Sequence, residues 1–283
     1  MIVVIGDLVE DVVVRLHDAV APGDDTEATI ERRPGGSAAN TAMAAVALGG
    51  RARLVVALAD DDLAGRLSGQ VRDAGVDVAA SVVVGGRSGT IVVLVDRSGE
   101  RTMLTDRGCS ARLEELPTGW DDGMTALHVP MYALAEPTMA RAVGRAAATA
   151  RSLGATVSID VSSARLVGQL GGRAPVLSAI AELHADVVIA NDQEAEALGL
   201  LVQPPRWPMT VVKRGASPAV VISGGERLEV RAETLPRVVD TTGAGDAFAA
   251  GLLVALGSGA SPGDAVRTGH RCAASMLAAR VAT

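Results

Sequence analysis

Short runs of apolar residues alternate with longer amphipathic stretches along most of the chain. The short runs are rich in Val and Ile, as is typical of buried parallel strands, and Ala/Leu/Arg stretches of helical length separate them. The pattern predicts strands at residues 3–5, 54–58, 126–129, 156–159, 187–189 and 211–212. It predicts helices at residues 37–48, 63–74, 138–153, 175–183, 194–200 and 247–256. This alternation predicts an α/β fold in which a mostly parallel sheet carries helices on both faces.

Two segments, residues 8–33 and 81–105, depart from this alternation. Polar residues there interrupt β-branched ones, and turn signals occur at PGDD and DRSGE. We expect the two segments to pair as a small antiparallel sheet inserted in one domain that spans residues 1–283. Such a sheet would serve as a lid that excludes water from a reactive group, and we expect a homodimer that forms through it. An ordinary hairpin extension is the alternative.

Composition and charge narrow the range of partners. No run approaches the roughly 18 apolar residues that a membrane span requires, and the first residues resemble no targeting signal, so a cytoplasmic protein without a membrane partner is predicted. A net charge of −7 and only four aromatic residues argue against nucleic acid as a partner. Cys109 and Cys272 lie far apart, and the four histidines lack metal-ligand spacing, which argues against disulfides and zinc.

The richest candidate chemistry lies in the run DTTGAGDAFAAG at residues 240–251. Gly243, Ala244 and Gly245 allow a tight turn with exposed N–H groups, and the predicted helix that follows places its positive end at the same point. Asp246 stands where the helix begins, so its carboxylate could take a proton from an alcohol whose oxygen attacks phosphorus held over those amides. The run therefore predicts an anion hole and a general base for phosphoryl transfer.

Two common nucleotide-binding motifs fit this chain poorly. A P-loop requires GK followed by Ser or Thr, but the only lysine of the chain, Lys213, is followed by Arg214. A dinucleotide fingerprint should follow an early strand, whereas the run at residues 240–251 lies late in the chain and has Phe248 at its third small position. A plain helix cap remains the simplest alternative for the run taken alone.

Two motifs together resemble the signatures of a known family. Residues 240–246, DTTGAGD, match the pattern DTxGAGD, and residues 34–41, PGGSAANT, match a GG pair followed by Asn at the start of a helix. In this order the motifs resemble those of the ribokinase family, also called PfkB-type carbohydrate kinases, and the resemblance covers essentially the whole chain. It implies a ribokinase-like three-layer α/β/α fold with a mostly parallel central sheet and a small β-sheet lid.

The resemblance also implies roles for individual residues. In catalysis, Asp246 would be the base, and the anion hole would be formed by Gly243, Ala244 and Gly245. The sugar would be bound by Asp11 (favoured over Asp7), Gly35, Gly36 and Asn40, while Arg101 or Arg107 could pair with the carboxylate of a sugar acid. The nucleotide would lie near Asn191, Lys213, Gly215 and His270. Metal ions would be held by Glu194 (Mg²⁺, through water) and by Asp240 and Thr242 (a monovalent cation).

The implied activity is transfer of the γ-phosphoryl group of ATP to a primary hydroxyl of a small sugar or sugar acid, with Mg²⁺ and with activation by K⁺. A nucleoside kinase of the same fold remains an alternative, although the shortage of aromatic residues leaves little to stack on a base. A non-catalytic sugar- or nucleotide-binding protein is another. A structural protein that uses the lid strands as a dimer contact is the third.

Overall fold

A computed structural model describes residues 1–202, 207–233 and 241–279. The strands within these ranges are β1 (Ile2–Ile5), β2 (Val9–Leu16), β3 (Ala28–Gly35), β4 (Ala52–Ala59), β5 (Asp77–Val83), β6 (Ser88–Val95), β7 (Arg101–Gly108), β8 (Ala126–Pro130), β9 (Thr156–Asp160), β10 (Val187–Asn191), β11 (Met209–Arg214), β12 (Ser217–Ser223) and β13 (Glu226–Val230). The helices are α1 (Ser37–Ala47), α2 (Asp62–Asp73), α3 (Pro137–Ser152), α4 (Ala164–Gln169), α5 (Arg173–Glu182), α6 (Asp192–Leu198), α7 (Ala244–Gly257) and α8 (Pro262–Ala279).

The large sheet is mostly parallel, as the alternation of apolar runs and helical stretches predicted. Among the described residues its order is β13-β12-β11-β10-β9-β8-β1-β4-β5. The strands from β5 to β11 in this order pair in parallel, and β12 and β13 extend one edge in antiparallel fashion. Each predicted strand lies inside one of these parallel strands, so the predicted fold class is confirmed.

Successive residues of the central strands point to opposite sides of the large sheet, which produces a layer of helices on each side. Val3 and Ile5 of β1 pack in a core cluster with residues of α3, α5 and α6. Val4, between them, packs instead with residues of α1, α2 and α7. On the same side as Val4, α7 and α8 cover β10, β11 and β12. The result is the three-layer arrangement implied by the family resemblance.

The small sheet consists of β3, β2, β6 and β7 in that order. The expectation of a purely antiparallel sheet is wrong, because its two central strands, β2 and β6, pair in parallel. β2 follows β1, and β6 follows β5. Because β1 and β5 both pair in parallel with β4, the two segments of the small sheet leave the large sheet at the carboxyl ends of its strands. The predicted segment 81–105 also began too early, because residues 81–83 belong to β5 of the large sheet.

Five of the predicted helices begin one to three residues earlier than predicted, and two of these starts, at α6 and α7, follow residues discussed as candidate site residues. Asn191 caps α6, which begins at Asp192 rather than at residue 194. Gly243 precedes α7, which begins at Ala244 rather than at residue 247. Both helices begin at the carboxyl ends of the parallel strands, where α/β sheets bind ligands. In the described part of the chain, no helix combines the length and apolarity needed to span a membrane.

Candidate active site

Asp246 lies in the first turn of α7 and is held by α1. Ser37 Oγ donates a hydrogen bond to Asp246 Oδ1 at 2.6 Å, and Asn40 Nδ2 donates one to Oδ2 at 3.0 Å. Burial raises the pKa of Asp246 to about 6, against the opposing effect of these two hydrogen bonds. The carboxylate is therefore charged at neutral pH and has a basicity suited to accepting a proton.

The N-terminus of α7 provides a place for an anion next to this carboxylate. Gly243 precedes the helix with φ of 78°, a left-handed conformation that glycine adopts at little cost. The Ala244 amide donates to Thr241 O at 3.1 Å, whereas the following amides of the first helical turn, beginning with that of Gly245, have no acceptor within the helix and lie at the positive end of the dipole. The residues predicted as base and as anion hole thus lie in one turn, and both roles stay predictions.

Lys213 brings a positive charge to the same turn. Its Nζ donates to Asp160 Oδ2 at 2.7 Å, and a Cβ added at Gly245 would lie 3.2 Å from that Nζ. Burial alone would lower the pKa of Lys213, but the charges of Asp160 and Glu194 outweigh it and raise the pKa. The ammonium group is thus charged and lies against the first turn of α7, where phosphate oxygens would bind.

Asn191 and Glu194 form a capping box at the start of α6. Asn191 Oδ1 accepts from the Glu194 amide at 2.9 Å, and the Asn191 amide donates to Glu194 Oε2 at 2.8 Å. Burial, and then the nearby charge of Asp160, raise the pKa of Glu194 to about 7. Mg²⁺ favours carboxylate oxygens with retained waters, so a buried carboxylate beside a second carboxylate and the anion hole fits a water-mediated role.

The predicted sugar-binding residues meet where α1 begins. A Cβ added at Gly35 would overlap the carboxylate of Asp11, and one added at Gly36 would lie 2.6 Å from the backbone oxygen of Asp7. Gly36 also has φ of 98°. The two glycines therefore allow the backbone to pass directly beside two buried aspartates, about one helical turn before the Asn40 that holds Asp246.

Arg107 enters this region from the small sheet. It forms an ion pair with Asp7, and its guanidinium lies 4.2 Å from the centre of the Tyr132 ring. The side chain of Asp7 is 7% exposed, so the pair is largely shielded from water. Arg107 thus lies beside the predicted sugar-binding residues, but its charge is already balanced by Asp7, which ranked second to Asp11 as a sugar ligand, so its contact with a substrate stays a prediction.

Two residues that were predicted to lie near the nucleotide, His270 and Gly215, lie outside the group of residues around Asp246. His270 is buried on α8, with its ring 5.2 Å from that of Phe248, and burial lowers its pKa. Gly215 lies in the exposed turn between β11 and β12 with φ of 59°. Contacts of these residues with a nucleotide stay predictions.

Of the two predicted monovalent-cation residues, one can be placed. Asp240 lies outside the described residues. Thr242 lies just before Gly243, and its Oγ1 accepts a hydrogen bond from Arg101 Nη1 at 2.7 Å. The residue is thus next to the anion hole, but its hydroxyl faces a guanidinium.

Sequence reasoning missed Asp160 and gave no separate role to Ser37. Asp160 is the last residue of β9, at the carboxyl end of a parallel strand, and that position was a usable signal. Ser37 follows the GG pair at the start of α1, where a hydroxyl is common, so nothing in its local sequence pointed to Asp246 some 209 positions away.

The chain is similar to several known kinases of sugars and nucleosides. The crystal structure of adenosine kinase from Sinorhizobium meliloti superposes with a TM-score of 0.86 at 27% identity, covering 100% of this chain and 99% of that one. The ATP-dependent ribose-1-phosphate kinase of Halopiger xanaduensis is 32% identical over 248 residues, 82% of this chain and 77% of that protein. The fructokinase of Salmonella typhimurium is 29% identical over 256 residues, 85% and 82% of the two chains.

The fold and these relatives define a phosphotransferase that acts on sugars or nucleosides. The model of the pfkB family of carbohydrate kinases matches residues 1–282. The chain belongs to that family, and its use of ATP follows from it.

Proposed function

We propose that this kinase transfers the γ-phosphoryl group of ATP to a primary hydroxyl of a small sugar or sugar acid, with Asp246 as general base. The observation that carries the proposal is the Asp246 carboxylate, held by Ser37 and Asn40 in the first turn of α7 beside the Lys213 ammonium. A hydroxyl placed there lies between a proton acceptor and a site that binds phosphate.

In the proposed reaction the substrate oxygen attacks the γ-phosphorus while its proton passes to Asp246, and the bond from that phosphorus to the bridging oxygen of ADP breaks. The amides of Gly243 and Gly245 and the ammonium of Lys213 stabilise the charge on the transferring group, while the Ala244 amide, which donates to Thr241 O at 3.1 Å, holds the turn. Glu194, positioned by Asn191, would orient the waters of Mg²⁺, which neutralises charge on the phosphate oxygens when bound. Gly215 and His270 would border the nucleotide.

On the acceptor side, the proposed ligands of the sugar are Asp11, Asn40 and the backbone at Gly35 and Gly36. The ion pair with Asp7 already balances the charge of Arg107. Arg107 is therefore a weaker ligand for the carboxylate of a sugar acid than its position in the sequence suggested. A neutral sugar is therefore the favoured acceptor within the proposal. We further propose that the small sheet is the lid of a single kinase domain that works in the cytoplasm as a homodimer.

The test is phosphorylation of a panel of pentoses, hexoses, sugar acids, phosphorylated sugars and nucleosides by ATP and Mg²⁺. Asp246→Asn should lower kcat by roughly 10²-fold to 10⁴-fold, while calorimetry shows sugar binding largely kept, because only the proton acceptor is removed. Asp264→Asn is the matched control, since Asp264 occupies the first turn of the neighbouring helix α8 on the surface.

Normal turnover by Asp246→Asn would contradict the assigned base. Tight binding of a panel member without any turnover by the wild-type protein would favour the non-catalytic alternative. Turnover of nucleosides alone would favour the nucleoside kinase, which the similarity to an adenosine kinase keeps open.

A further inference from the structure

Arg101 connects the small sheet to the loop that leads into α7. It is the first residue of β7, and its Nη1 donates to Thr242 Oγ1 at 2.7 Å while its Nη2 donates to Thr241 Oγ1 at 2.6 Å. These two threonines immediately precede Gly243, the capping residue of α7. A guanidinium from a separate sheet is therefore fixed beside the loop that forms the anion hole.

The strand register places Arg101 on the same face of the small sheet as Asp11. Arg101 pairs with Val95 of β6, which pairs with Arg15 of β2. Arg15 and Asp11 are four residues apart on one strand, so their side chains share a face. The face that brings Asp11 to the proposed sugar site is thus also the face that brings Arg101 to α7.

This arrangement conflicts with the monovalent cation that the family resemblance implies. The hydroxyl of Thr242, one of the two predicted ligands, already faces the guanidinium of Arg101. Two positive charges at such close range repel each other strongly inside a protein, where water screens them poorly. The Thr242 side chain therefore does not fit as a ligand of a second cation while Arg101 is in place.

The anion hole then has fixed positive charges on two sides. Lys213 Nζ lies against Gly245 in the first turn, and it is anchored by Asp160 of the large sheet. Arg101 lies against the preceding loop and is carried by the small sheet. The charge of Lys213 is carried by the large sheet, whereas the charge of Arg101 is carried by the small sheet.

We propose that the guanidinium of Arg101 takes the place of the monovalent cation beside the anion hole, so that docking of the small sheet, rather than binding of K⁺, completes the site. Arg101 acts as a positioning residue, because it holds the Thr241–Thr242 loop and adds its charge there. The inference rests on the proposed function, since it concerns the site of phosphoryl transfer.

The kinetic test compares chloride salts of K⁺ and tetramethylammonium at equal ionic strength. The wild-type kcat should be the same in both. Arg101→Ala should lower kcat by roughly 10²-fold, the effect of removing one preorganised stabilising group, and added guanidinium ion should restore part of the loss. Arg97→Ala is the control, because Arg97 lies in the turn between β6 and β7 and forms an exposed ion pair with Asp18 at 3.3 Å.

A binding measurement separates this inference from the proposed function. The thermal stabilisation of wild-type protein by Mg²⁺ and a non-hydrolysable ATP analogue should not depend on K⁺, whether or not a sugar is turned over. A larger stabilisation in K⁺, a wild-type kcat raised by K⁺, or an Arg101→Ala variant that matches Arg97→Ala would each overturn the inference. Absence of turnover across the substrate panel would instead count against the proposed function, and the thermal shift would still decide the question of the cation.

Discussion

Gly35 shows how a position without a side chain determines the shape of a binding site. Any Cβ at this position would overlap the Asp11 carboxylate, although Gly35 itself has no positive φ. Gly36 differs, because its φ of 98° requires glycine for conformational reasons as well. The GG motif predicted a close approach of the backbone to a ligand, and the structure shows that one of the two glycines first makes room for a protein carboxylate.

Gly35→Ala should therefore displace Asp11 and weaken sugar binding. We expect KM for the sugar to rise by roughly 10-fold to 100-fold, the loss of a hydrogen bond to a charged group, with a smaller effect on kcat. The matched control is Gly69→Ala in α2, where a Cβ would meet no atom within 4 Å. The control should leave the kinetics unchanged and raise the free energy of unfolding by about 0.5–1 kcal/mol. An unaltered KM in Gly35→Ala would show that Asp11 does not contact the sugar.

The sequence was most informative about residues whose role depends on their immediate neighbours. Asp246 and Asn40 could be identified because short motifs surround them, and both lie in the cluster. The partners that hold a charged group through space had no such signal. Asp7 and Tyr132, which flank Arg107, come from different parts of the chain, and only the tertiary structure brings them to one guanidinium.

Three adjacent parallel strands, β9, β10 and β11, bring together the polar and charged residues near Asp246. Register aligns Asp160 of β9 with Ile189 of β10, and Asn191 of β10 with Lys213 of β11. The predicted strand 156–159 stopped one residue before Asp160, although polar residues at the carboxyl ends of such strands are strong candidates for a site. The ion pair with Lys213 could not be predicted, because sequence periodicity gives the strands but not their order in the sheet.

Asp160→Asn should shift the pH dependence of phosphoryl transfer. With Asp246 as the proposed base, activity should fall as the pH drops through the pKa of Asp246, about 6, because a protonated carboxyl cannot accept the proton of the substrate. The negative charge of Asp160 contributes to raising that pKa, so its removal should lower the pKa and extend activity to more acidic pH. The measurement is kcat against pH for both proteins.

Asp192→Asn provides the control for this shift. Asp192 begins α6 at the same edge of the sheet, but it is exposed and pairs with Arg214 at 3.0 Å. Removal of the Asp192 charge should not change the pH at which kcat falls on the acidic side. If kcat of Asp160→Asn falls at the same acidic pH as kcat of the wild type, the electrostatic coupling between Asp160 and Asp246 is contradicted.

The small sheet also presents a surface through which two copies of the chain could associate. Leu104 and Ile30 lie on its outer strands and are 55% and 60% exposed. Register aligns Leu104 with Val92 and Val12, on the face opposite to Asp11 and Arg101. These exposed apolar side chains, on a face that also carries the Arg32–Glu10 ion pair, fit the predicted homodimer, which stays a prediction.

Leu104→Glu should convert this dimer to a monomer, because it places a charge in the apolar contact. Light scattering after size-exclusion chromatography gives the mass of each species. Val202→Glu is the control, since Val202 is 88% exposed but lies outside the small sheet. A monomeric wild-type protein at high concentration, or a dimer that survives Leu104→Glu, would exclude this interface.

The scarcity of aromatic residues has a practical consequence for following motion in this protein. Both tryptophans, Trp120 and Trp207, are buried in the core cluster on the α3 side of the large sheet, and the four strands of the small sheet contain no aromatic residue. Intrinsic fluorescence should therefore report the melting of the large sheet, while movement of the small sheet gives almost no optical signal. A tryptophan introduced by Met103→Trp, on the face that carries Arg101, would make that movement visible.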